Sequence, residues 1–179
     1  IQSMAEHDVV EDGKYVVRVN EHHVWLGKSN KFLRHNNPET EYVIIGKNIE
    51  SDMYAVGVGL DNFIGQRSIA YGMNVYNNNL YTVALGIDLR PINSSESIVM
   101  GRDIQMKGGT KSLVLGKSID TEDSPHSVIL GLDLKETGKT KAENSVIIGK
   151  KVKTDGDTKL NGAILIGTDS GMRANGRTW

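Results

Sequence analysis

Several short strings in this sequence carry residue types that could do chemistry, and their spacing decides which chemistry is open to them. Gly27-Lys28-Ser29 and Gly116-Lys117-Ser118 end as a phosphate-binding loop ends. Such a loop also needs an earlier glycine, and the corresponding positions hold His22 and Lys111. Gly57-Val58-Gly59 opens a dinucleotide-binding fingerprint whose next glycine would have to stand at Asn62. His126 beside Ser127 sets a base next to a hydroxyl, but neighbouring side chains of a strand point to opposite faces, so no dyad forms if both lie in a strand. His22 and His23 could ligate a metal together with His35, yet adjacent histidines diverge in the same way. Asp61, Asp88, Asp103, Asp133 and Asp169 recur in one column that could bind calcium, but Ser29, Ser118 and Lys151 interrupt it. Short polar side chains in such a column bond nearby backbone, so they are expected to be turn residues. No catalytic residue, no cofactor site and no metal site is expected.

What positions these residues is a repeat. An apolar tripeptide followed by glycine occurs ten times, at Gly27, Gly46, Gly59, Gly72, Gly86, Gly101, Gly116, Gly131, Gly149 and Gly167. The steps are 19, 13, 13, 14, 15, 15, 15, 18 and 18 residues. A small unit repeated at near-constant spacing buries its apolar face by stacking on copies of itself, which makes each unit one solenoid coil. The brief apolar runs rich in β-branched residues favour strands over helices. The motif glycine is expected at a corner where a positive φ or close coil-to-coil packing excludes a Cβ.

Alignment on the glycine yields columns. Three residues before it stand Val24, Val43, Val56, Ile69, Val83, Ile98, Leu113, Val128, Val146 and Ile164. One residue before it stand Leu26, Ile45, Val58, Tyr71, Leu85, Met100, Leu115, Leu130, Ile148 and Ile166. Residues two apart share a face of a strand, so these two columns are expected to line the interior. Three residues after the glycine a further apolar position, Ile49, Val75, Leu89, Ile104, Ile119, Leu134 and Val152, is expected to re-enter the core. The column between the first two is then left facing outward, and it holds Trp25, Ile44, Gly57, Ala70, Ala84, Val99, Val114, Ile129, Ile147 and Leu165, with no polar side chain. Ten coils would expose such a stripe over roughly 45 Å, far more than the scattered apolar residues of a monomer's surface. Copies of the same chain are expected to cover it, with Ile44, Ala70, Ala84, Val99, Val114, Ile129, Ile147 and Leu165 at the contact.

Composition narrows the class further. The 179 residues carry a formal charge of -1 and are 6% aromatic, which suggests neither a nucleic-acid patch nor a basic membrane surface. No apolar run is long enough to insert in a membrane, and Ile1 to Val10 is too short and polar for a signal peptide, so the chain is expected to begin inside a longer protein. Cysteine is absent, so neither disulfides nor thiolate metal sites contribute. The expected organisation is a connecting segment or extra strand over 1–20, with Tyr15-Val16-Val17-Arg18-Val19 as the strand, a repeat domain over 21–170, and a tail over 171–179.

Asn144-Ser145-Val146-Ile147-Ile148-Gly149, together with Ser127-Val128-Ile129-Leu130-Gly131, resembles the Asn-Ser-Val-Ala-Ile-Gly repeat of the head domains of YadA-like trimeric autotransporter adhesins, which also occur in bacteriophage tail fibres and spikes. The first string departs at one position, and degenerate copies run from about Val24 to Gly167. The resemblance implies an all-β, left-handed parallel β-roll, three chains side by side, and a role in adhesion at a cell surface or virion. The large middle residues and the lack of alanine- and glycine-rich linkers favour a fibre of a virion over an autotransporter. The expected function is a non-catalytic homotrimeric attachment segment that meets an envelope glycan or surface protein through its outer wall or distal end, where threefold avidity strengthens weak sites. The alternatives are an autotransporter head, a purely structural spacer, and a left-handed β-helix acyltransferase, whose coils near eighteen residues only the last two steps fit.

Overall fold

The computed structural model describes residues 15–19, 22–33, 41–118, 120–122, 124–132, 141–150, 153–154, 159–168 and 171–172. The described elements are all strands, and they stack as a parallel β-solenoid. Each apolar tripeptide with its glycine is one long strand, from His23–Lys28 and Tyr42–Lys47 through Ile98–Arg102 to Val146–Lys150 and Ile164–Thr168. These strands form one sheet in which glycine pairs with glycine from coil to coil, as in Val83–Ile87 against Ile98–Arg102. Tyr15–Val19 is the expected extra strand and closes the first edge of that sheet antiparallel to His23–Lys28. Closing an edge in this way removes a row of unpaired main-chain groups.

Short return strands form the second wall. Lys31–Phe32, Glu50–Ser51, Phe63–Ile64 and Tyr76–Asn77 make one sheet, and Arg90–Ile92, Gln105–Lys107 and Asp120–Glu122 make another. The last described pair is Lys153–Thr154 with Gly171–Met172, and 173–179 lie outside the described residues.

Two tight corners join the walls. Ser29, Asn48, Asp61, Asn74, Asp88, Asp103 and Ser118, two residues after the glycine, all have φ between 54° and 58°, the left-handed region that Asn and Asp tolerate best. The expected turn role of this column is what the structure has. Its main-chain N–H groups also bond to the previous coil, as Asn74 N–H does to Leu60 O at 2.9 Å. At the glycine itself both expected reasons hold. Gly86 has φ 149°, and a Cβ there would lie 1.8 Å from the carbonyl oxygen of Gly101 in the next coil.

The interior reverses the sequence-based assignment of faces. Ile44, Ala70, Ala84, Val99, Val114, Ile129, Ile147 and Leu165, expected at a contact between chains, fill the inside of the single chain at 0% to 9% exposure. The flanking columns expected inside point out. The reason is the narrowness of the coil: between walls joined by tight corners there is no room for both flanking columns, so the long strand sends in the middle residue, which meets Ile49, Ile64, Val75, Leu89 and Ile104 from the return side of the coil. At Gly57 even a Cβ would fall 2.2 Å from Ile64 Cδ1. Ile49, Val75, Leu89 and Ile104 re-enter the core as expected, while Ile119, Leu134 and Val152 of that column lie outside the described residues.

Parity along the strand puts the residue four before the glycine inside as well, and in six coils it is a hydroxyl: Ser68, Thr82, Ser97, Ser112, Ser127 and Ser145. Each serine of the run Ser97, Ser112, Ser127 and Ser145 accepts a bond from the N–H of the equivalent residue one coil on, at 3.1 or 3.2 Å. Ser97 and Ser112 each also donate to a carbonyl of the next coil, at 2.8 Å. The first coil closes with rings, Trp25 against Phe32 at 4.4 Å and Phe32 against Tyr42 at 4.6 Å.

Ser112→Ala leaves the N–H of Ser127 and the carbonyl of Ser124 without this partner, and is expected to lower unfolding free energy by about 1–3 kcal/mol in urea titrations. Gly86→Ala meets both the positive φ and the Gly101 carbonyl, and is expected to cost about 4 kcal/mol or more, read as loss of folded protein at ordinary growth temperature.

Candidate interaction surface

With the middle column inside, the two uniformly apolar columns face outward on the long-strand sheet. Val43 and Ile45 are each 38% exposed, Ile98 45%, Tyr71 58%, and Ile164 and Ile166 70%. Val56, Val58, Val83, Leu85, Leu113, Leu115, Val128, Leu130, Val146 and Ile148 are half-buried by their neighbours in the same columns. A third outward column, one residue after the glycine, is apolar in successive coils at Leu60, Met73 and Ile87 and again at Leu132, and basic at Lys47, Arg102, Lys117 and Lys150. Strand spacing makes this face roughly 45 Å long, and its two uniformly apolar columns cover on the order of 600 Å². That lies at the upper end of what a monomer carries as its largest apolar patch, and patches of this kind mark contact sites.

Two unlike edges border the face. One is the corner column of Asp61, Asn74, Asp88 and Asp103, in which Asn48 Nδ2 donates to Asp61 Oδ1 and Asn74 Nδ2 to Asp88 Oδ1, both at 2.7 Å. The other is the turn that leads into each long strand, where Tyr54, Arg67, Tyr81, Glu96, Lys111, His126 and Asn144 take φ between 52° and 57°. Arg67 lies between two rings, its guanidinium carbon 5.4 Å from the Tyr54 centroid and 5.7 Å from that of Tyr81. Its Nη1 donates to the Tyr81 hydroxyl at 2.6 Å. Lys111 and Glu96 stand 4.0 Å apart further along the same edge.

The strings that could do chemistry fall into these repeated places. Gly27-Lys28-Ser29 and Gly116-Lys117-Ser118 are strand ends running into the glycine corner, and among the described residues no helix follows either of them. Gly57-Val58-Gly59 lies within the strand Ala55–Leu60. His126 and Ser127 are kept apart by a turn, not by strand alternation as expected: His126 is exposed at a left-handed corner, while Ser127 is buried with its hydroxyl accepting from Ser145 N–H. His22 and His23 have ring centroids 6.1 Å apart, and His23 stacks on Tyr42 at 5.3 Å. His35, Asp133, Lys151 and Asp169 lie outside the described residues.

Sequence reasoning passed over both the hydroxyl ladder and the Tyr54-Arg67-Tyr81 edge. Ser or Thr before the apolar tripeptide in six coils was a signal for the first. The second had none, because its column changes residue type at every coil.

The inside and outside columns are separable by neighbouring substitutions in one strand. Val99→Asp places a carboxylate in the dry interior and is expected to unfold the chain, at a cost of about 3 kcal/mol or more. Ile98→Asp projects outward and is expected to keep the β-rich circular dichroism spectrum. Comparison with protein-family models, with curated proteins and with solved structures finds no match for this chain, so the reading of this surface rests on its own geometry.

Proposed function

We propose that this chain is a non-catalytic, homotrimeric attachment segment of a surface fibre, in which three left-handed rolls turn their apolar long-strand faces toward a common axis. The observation that supports this most is the outward pair of columns from Val24 and Leu26 to Ile164 and Ile166, apolar at every coil. Side chains of that kind repeated along a whole face gain by leaving water, at about 25 cal/mol per Å² of apolar surface buried. Three is the number that the resemblance to YadA-like head repeats implies, and the same resemblance favours a bacteriophage tail fibre or spike that meets the host envelope. With the apolar faces packed together, the return-strand walls face outward and are left for a glycan or surface protein, where three weak sites act together.

Two further readings keep a specific basis. A structural spacer would use the same columns, the inner ones to form the coils and the outward apolar pair to hold copies of the chain together. The head of an autotransporter would share the repeat and differ only in what it is attached to. An acyltransferase fits less well, because steps of 13 to 15 residues break the register its coils require.

The trimer is expected to scatter light as a particle of about 59 kDa, three times 19.6 kDa, and Ile98→Asp combined with Leu113→Asp is expected to reduce it to a folded monomer. A wild-type chain that stays monomeric at micromolar concentration refutes the assembly. Fluorescent trimer incubated with bacterial and host cells and their extracted envelope glycans is expected to bind saturably without cleaving them. Cleavage would make the segment an enzyme, and failure to bind any of them would leave the spacer.

A further inference from the structure

We propose that Arg67 is the polar lock between copies of this chain, taking a carboxylate of Asp61 or Asp88 from the neighbouring copy. The inference rests on the assembly proposed above and names the contact that sets its register. Three faces turned to one axis form a closed ring of unlike edges, so the edge carrying Arg67 in one copy meets the edge carrying the Asp column in the next.

Arg67 is built to receive such a group. Its guanidinium is held between Tyr54 and Tyr81 and bonded to the Tyr81 hydroxyl, so most of the freedom a long exposed side chain would lose on binding is already gone. One of its five donors is used by that bond, and among the described residues no carboxylate pairs with it. Its neighbours along the edge are the two tyrosines, and the next charges of that column, Glu96 and Lys111, lie two and three coils further on, 4.0 Å from each other.

The opposite edge offers the complement. The coil of Arg67 ends at Asn74, and Asp61 and Asp88 stand one coil to either side, each about 4.8 Å along the axis. Both carboxylates are engaged through Oδ1 by an asparagine of the same column, which fixes their orientation and leaves Oδ2 for a second donor. Asp103 is less available, since Arg102 Nε lies 3.4 Å from its Oδ2. A guanidinium opposite a pair of oriented carboxylates gives directional bonds that the apolar columns, being alike at every coil, do not supply.

The test uses charge reversal in the full chain, with assembly measured by light scattering over a dilution series and folding by thermal melting. Arg67→Glu is expected to weaken assembly at least tenfold in concentration at half dissociation, and Asp61→Lys with Asp88→Lys to do the same. The triple variant is expected to recover assembly to within about threefold of wild type. Assembly unchanged in Arg67→Glu overturns the proposal, and so does a loss that the triple variant does not recover, since Arg67 would then serve only its own chain. A wild-type chain that never assembles is a different result: it removes the assembly itself and this contact with it.

Discussion

Everything in this molecule depends on the closeness with which one coil's backbone lies on the next. At the glycine corner a Cβ on one coil would fall 1.6 to 1.8 Å from a carbonyl oxygen of its neighbour, so only glycine permits the approach, and its φ of 130° to 157° suits no other residue. Glycine therefore pairs with glycine along all the parallel strands of the sheet. A slip of one residue would put every side chain on the wrong face. The glycine column is thus the register mark, and all other columns inherit their alignment from it.

Alignment at this precision makes the interior narrow and the polar groups within it repetitive. Walls of two to six residues leave no space for two rows of large side chains from the long strand, so the inside takes one row, and the row shrinks to Ala70 and Ala84 or vanishes at Gly57 where the facing wall is bulky. The coils meet the need to pair buried main-chain groups by hydrogen bonds that run along the axis, through the strand ladders, the corner N–H groups and the hydroxyls of Ser97, Ser112, Ser127 and Ser145. Because each coil satisfies its neighbour and not itself, stability grows with stacking.

A solenoid of this kind separates structure from recognition by column. Columns with one residue type, glycine, hydroxyl or aliphatic, are the ones the stacking needs. Columns that change type from coil to coil are free of that need, and the turn leading into the long strands is the clearest case, with tyrosine, arginine, glutamate, lysine, histidine and asparagine in succession. The outward apolar columns belong to neither group. Their uniformity is not demanded by the single chain, which leaves them partly exposed, and it finds a physical use once another copy lies against them.

The sequence by itself determined the architecture. Ten glycines at near-constant steps, aliphatic residues before each and Asn, Asp or Ser two residues after were enough for parallel coils, a glycine corner and a left-handed turn, because each follows from local rules of strand alternation, Cβ clash and turn chemistry. The strand at Tyr15–Val19 was legible for the same reason. What only the tertiary structure decided was which face of the long strand is the inside. Alternation says that Val146 and Ile148 share a face and Ile147 takes the other, but in a run where all three are aliphatic it cannot say which face is buried. The choice rests on how far apart the two walls stand, a distance set by tight corners and by Ile64, Val75 and Leu89 on the return side of the coil, which Gly57, Ala70 and Ala84 fit where the flanking Val56, Ile69 and Val83 would not.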